Sequence, residues 1–231
     1  MKKDILHQIL ADRRDRRAVA VVTELSSGQQ RIVHLEDASG EGDLAGPLAD
    51  AFVRDQSRTV EVGGAEYFVH IYNPPLKMIV IGAVHVAQAV IPIASAAGYD
   101  VTIIDPRGAF ATHERFPEVA LVEDWPDEAL PRLGIDHRSA VLALTHDPKI
   151  DDPALGLALK SACFYIGALG SKKTHASRCE RLSENGFSQD QISRIHGPIG
   201  LDIGAKGPAE IAISIMAEVT CSLRRGDGQG S

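Results

Sequence analysis

Hydrophobic positions fall into two textures along the chain, and the change comes near residue 75. From there on, apolar residues come in short, nearly unbroken runs: Leu76–Ile81, Val101–Ile104, Val119–Val122, Ala140–Leu144 and Phe164–Ile166. Unbroken runs bounded by turn residues predict strands buried on both faces, as in a parallel sheet covered by helices. Between the first two runs, Val86, Ala89, Val90, Ile93, Ala94 and Ala97 repeat at helical spacing, and Gly98 ends the pattern. Pro92 lies inside that helix. Asp152-Pro153 reads as a cap followed by proline at the first helical position. Pro208 and Glu210 open a last helix with Ile211, Ile215, Val219 and Leu223 along one stripe.

The first 74 residues read differently. A helix over 3–16, strands over 18–24 and 30–35, a helix over 42–55, and a hairpin of 59–62 and 67–72 around Gly63-Gly64 describe a small α+β unit. Asn73-Pro74-Pro75 stops regular structure. The expected organisation is therefore a small N-terminal α+β domain, 1–74, and an α/β domain, 75–231, with a Rossmann-like doubly wound parallel sheet. The glycine-rich tail, 226–231, is expected to be disordered.

A net charge of -7 argues against a nucleic-acid surface. The one basic cluster, Arg13, Arg14, Arg16 and Arg17, alternates with Asp12 and Asp15 and reads as a solvated helix face. No apolar run reaches membrane-spanning length, and the N-terminus has no secretory pattern. The three cysteines are widely spaced and match no zinc pattern, which suits a reducing cytoplasm.

The chemistry is expected where the predicted strands end. The segment 76–107 reads as strand, small-residue turn, helix, strand and acid, the first βαβ unit of a nucleotide fold. Gly82, Ala83, Val84, His85 and Val86 form its turn. Val84 stands where the second glycine of G-x-G-x-x-G would be, and Ala87 replaces the third. A β-branched side chain there obstructs a pyrophosphate, so tight NAD or NADP binding in the usual pose stays open. Asp105, 23 residues after Gly82, is placed either to accept from a ribose or to cap a turn. Arg107 is placed to neutralise a phosphate or to pair with Asp105 or Glu114.

Thr145, His146 and Asp147 follow the fourth run, and a carboxylate beside an imidazole can orient it. Gly167, Leu169, Gly170 and Ser171 follow the fifth and open a helix with Lys172 and Lys173. That arrangement suits an anion or simply a capped glycine turn. Gly200 and Asp202 lie in a later loop before the final helix. All these loops are expected to face one crevice, with Asp105 and Asp147 on its solvent-facing rim. No nucleophile–base–acid triad, HExxH, P-loop or clustered metal ligands are present.

The segments IGAVHVAQ (81–88), DPR (105–107), THD (145–147), YIGALGSKKT (165–174) and PIGLDIGAKGPAEIAISIMAE (198–218) together resemble the XdhC/CoxI family over about residues 75–224. That family comprises accessory proteins of xanthine dehydrogenase and related molybdenum hydroxylases. The resemblance implies a non-catalytic carrier that binds the molybdenum cofactor (molybdopterin), protects it during sulfuration with a cysteine desulfurase, and delivers it to the hydroxylase. A homodimer is compatible with this reading. The alternatives are an NAD(P)-dependent oxidoreductase and an interaction subunit that only docks the hydroxylase. The family's usual N-terminal GSSPR-like and GGC-type segments are missing from residues 1–74, where Ser26-Ser27-Gly28 is only a fragment.

Overall fold

The computed structural model describes residues 3–225, so the tail expected to be disordered lies outside the described residues. The chain divides into two compact units at Pro74/Pro75.

The first unit holds α1 (Lys3–Arg14), β1 (Val19–Glu24), β2 (Gln30–His34), α2 (Ala45–Arg54), β3 (Arg58–Val62) and β4 (Ala65–Tyr72). Its four strands form an antiparallel sheet in the order β2-β1-β4-β3. Strand alternation sends Ala20, Val22 and Val69 against Leu48, Ala51 and Phe52 of α2, and sends Val19 and Val21 to the other face with Ile9 of α1.

The second unit holds β5 (Leu76–Ile81), α3 (His85–Ala96), β6 (Tyr99–Ile104), β7 (Ala120–Val122), α4 (Pro126–Leu133), β8 (Ser139–Ala143), α5 (Pro148–Leu159), β9 (Tyr165–Ala168), α6 (Lys172–Glu184), α7 (Gln189–Ile192), β10 (Ile195–His196) and α8 (Pro208–Arg225). Every strand pair is parallel, in the order β7-β6-β5-β8-β9-β10. This is the 3-2-1-4-5-6 order of the doubly wound nucleotide fold, and the order reverses between β5 and β8. Met78 and Val80 of β5 face α3 and α8, whereas Ile79 and Ile81 face α4, α5 and α6. Both faces are thus covered, which is why the strands read as nearly unbroken apolar runs.

One local expectation is corrected, and one strand goes unannounced by the sequence. Helix α5 starts at Pro148, capped by Asp147, whose carboxylate accepts the Lys149 amide at 3.0 Å. Asp152-Pro153 therefore lies inside the helix, because Asp147-Pro148 supplies the same signal directly at the end of the β8 segment. Strand β10, only two residues long, has no apolar run to announce it. Pro92 does lie within α3, on its exposed side.

Candidate binding site at the strand ends

The loops after β5, β6, β8 and β9 leave the same carboxyl edge of four adjacent strands. At the β5 end Gly82 has φ +106°, and its amide donates to the Ile104 carbonyl at 2.8 Å. A Cβ there would come within 2.5 Å of Thr145 Cγ2, so the first and fourth loops touch across the switch point. Ala83 is buried, Val84 and Val86 are half-buried, and His85 is exposed. Val84 occupies the N-cap of α3 and offers no side-chain cap.

The expectation that Asp105 lies on a solvent-facing rim is corrected. It is completely buried. Its Oδ2 accepts the Ala83 amide at 2.8 Å and Arg107 Nη2 at 2.9 Å. Its Oδ1 accepts the Arg107 amide at 3.0 Å and Arg107 Nε at 2.9 Å. Burial alone would raise the carboxyl's pKa, but the Arg107 side chain and the two backbone amides outweigh it and hold the pKa below the usual range. Of the partners open to Arg107, the structure selects Asp105, and the guanidinium also lies 4.8 Å from the centre of the Phe110 ring. Asp105 chiefly raises the Arg107 pKa; Asp147 and Asp151 add to the effect, which places the β8–α5 carboxylates near the same edge.

After β8, Thr145 and Asp147 are half-buried, and His146 is exposed with φ +64°. The acid that organises this loop is Asp151, one turn into α5. It accepts the Thr145 hydroxyl at 2.7 Å, the Thr145 amide at 3.3 Å and the His146 amide at 3.1 Å. Burial pushes its carboxyl above the usual range despite these bonds. Arg178 of α6, equally buried, lies 3.9 Å from Asp151 and donates to the Leu169 carbonyl at 2.9 Å. The interior of α5 and α6 thus braces the loops after β8 and β9.

The last loop is held from below. Ile199 donates its amide to the Ala168 carbonyl at 3.1 Å, and Leu201 donates to Ser214 at 3.2 Å. Gly167 lies underneath; a Cβ there would overlap the Ile199 side chain. Glu218 of α8 accepts the Gly200 amide and the Tyr165 hydroxyl on one oxygen, and pairs with His196 Nδ1 at 3.3 Å on the other. Tyr165 and His196 stack with ring centres 4.7 Å apart. Burial would raise the Glu218 pKa, yet the bonds from His196, Tyr165 and Gly200 hold it below the usual range.

Between this loop and the start of α6 lies a cavity of about 420 Å³. Leu169, Gly170, Gly200 and Asp202 line it, with Lys172 and the apolar Ile199 and Ile211. Ser171 caps α6 by accepting the Thr174 amide at 3.1 Å. A second cavity of about 260 Å³, between α5 and α6, is lined by His146 together with Lys173 and Arg178. The candidate residues therefore divide by role. Leu169, Gly170, Gly200 and Asp202 line the larger cavity and His146 lines the smaller, while Gly167 packs beneath Ile199 and Ser171 caps α6. Asp105, Thr145 and Asp147 hold loops in place. Sequence reasoning missed Asp151, Arg178 and Glu218 because each acts from inside a helix.

A family model described as the XdhC Rossmann domain matches residues 78–219. The chain belongs to that family. Among XdhC relatives, it is 32% identical over 148 residues to the molybdenum cofactor insertion chaperone PaoD of Escherichia coli K12, covering 64% of this chain and 40% of that protein. It is 29% identical over 188 residues to a probable xanthine dehydrogenase subunit of Bacillus subtilis 168, covering 78% and 55%. An uncharacterized Escherichia coli K12 protein, YqeB, matches at 30% identity over 69% of this chain and 30% of its own length. The chain thus spans about half or less of the curated relatives it matches. A crystal structure described as a xanthine dehydrogenase from Bacillus halodurans aligns with a TM-score of 0.69 at 27% identity, covering 99% of this chain and 66% of that one. Among the described residues no helix is long and apolar enough to cross a membrane.

Proposed function

We propose that this XdhC-family protein carries the molybdenum cofactor and serves the maturation of a molybdenum hydroxylase of the xanthine dehydrogenase type. The observation that supports this reading most directly is the cavity of about 420 Å³ between the Gly200 loop and the start of α6. It joins apolar walls from Leu169, Ile199 and Ile211 to one cation, Lys172, and to backbone at Gly170 and Gly200. Apolar walls with a few placed polar groups suit a heterocycle, and the cation suits its phosphate. Relatives named for cofactor insertion and for xanthine dehydrogenase point the same way. In this reading a cysteine desulfurase supplies sulfur to the bound cofactor, and the hydroxylase takes it from the chain in the cytoplasm.

A nicotinamide dinucleotide in the usual pose meets two obstacles. Val84 stands at the pyrophosphate approach, and the acid expected on the ribose has its oxygens engaged by Ala83 and Arg107. The test is purification of the full chain from cells that make molybdopterin, followed by oxidation and pterin fluorescence. The expected result is pterin in stoichiometric proportion; fluorescence at background would overturn the proposal.

A further inference from the structure

Arg178 is buried without being fully partnered. It is 2% exposed and shares the inner face of α6 with Leu182. Its Nη2 donates to the Leu169 carbonyl, but Nε and Nη1 have no acceptor among the described residues. A guanidinium carries five N–H donors in a fixed fork, and burying it incompletely paired costs stability.

The side chain lines the α5–α6 cavity, where Lys173, Arg178 and Arg181 face Asp151 and Asp152. Both carboxylates are already engaged. Asp151 holds the Thr145 hydroxyl and two loop amides, and Asp152 takes Arg181 Nε at 2.6 Å and Nη2 at 3.1 Å. Lys173 is exposed and forms no ion pair among the described residues. Unmet donors therefore outnumber unmet acceptors in this cavity. Its α6 wall is the start of a 13-residue helix, where the backbone dipole favours negative charge.

We propose that the α5–α6 cavity is an anion site for a phosphate or diphosphate group, bound by Arg178 and Lys173 with the Ser177 hydroxyl as a neutral partner. The proposal stands apart from the cofactor reading: Lys172 lines the larger cavity and Lys173 this one, so either site can fail alone. Phosphate anions prefer such a site because a guanidinium fork pairs with two of their oxygens.

The test is calorimetric titration of the full chain with inorganic phosphate, pyrophosphate and ADP. Pyrophosphate is expected to bind saturably. Lys173→Glu, a change at an exposed position, weakens it by about tenfold or more, equivalent to about 1.4 kcal/mol. Arg178→Met abolishes it, and if that variant fails to fold, Lys173→Glu still decides. ADP binding tighter than pyrophosphate supports a phosphate ester as the natural occupant, and equal binding supports the free anion. No saturable binding of any of the three, or a Lys173→Glu affinity within about twofold of the unaltered chain, overturns the proposal.

Discussion

Glu218 Oε2 accepts the Gly200 amide at 2.7 Å and the Tyr165 hydroxyl at 2.5 Å, so one carboxylate on α8 joins the last loop to the end strands of the sheet. Its depressed pKa fixes the sign of a pH effect. A carboxylate whose folded pKa lies below its unfolded value contributes stability above the unfolded pKa, about 4.3, and loses it as pH falls through the folded value. Glu218→Gln is expected to lose about 2 kcal/mol at neutral pH, the scale of hydrogen bonds to a charged group. The gap between the two proteins should close in acid. Urea unfolding across acidic to neutral pH checks this; a gap independent of pH contradicts it.

Asp105→Ala is expected to destabilise the protein. The change leaves the Ala83 amide without its acceptor and frees Arg107 from a bidentate partner, a loss of about 3 kcal/mol on the scale of broken buried pairs. Chemical denaturation reads it directly. An unfolding midpoint equal to that of the unaltered chain shows that the acid does not brace the first loop.

Gly200→Ala tests the larger cavity. Gly200 has φ +94°, and a Cβ there would overlap Ser214 Oγ. Strain of about 2 kcal/mol and a displaced loop are expected, together with reduced pterin on the purified protein. Full pterin retention would mean that the cargo sits elsewhere.

Val84→Gly opens the turn after β5 while leaving Asp105 engaged. Fluorescence titration with NADH is expected to show no saturable binding in either form. Micromolar binding that appears with the glycine shows that Val84 alone had kept a dinucleotide out.

The sheet was legible because β5, β8 and β9 are buried on both faces and are apolar apart from Lys77 and Ser139 near their starts. The loops that follow them were legible for the same reason, since each begins where a run stops. The groups that hold those loops were not. Asp151 stands next to Asp152-Pro153, which imitates a helix start, and Glu218 sits in a long amphipathic helix where an acid reads as solvated. Arg178 carried a signal that could have been used: it falls four residues before Leu182, on the helix stripe that must face inward. An arginine at such a position needs acceptors, and the pattern alone does not say which.

The Asp105–Arg107 pair also bears on how related chains should be assigned. An acid at the tip of the second parallel strand is commonly taken as a sugar-recognition mark from its distance to the first glycine. Here the arginine two positions later folds back on it and converts a recognition group into a rivet. Chains carrying Asp-Pro-Arg at this point should be sorted from dinucleotide enzymes by that third letter before any coenzyme is assigned to them.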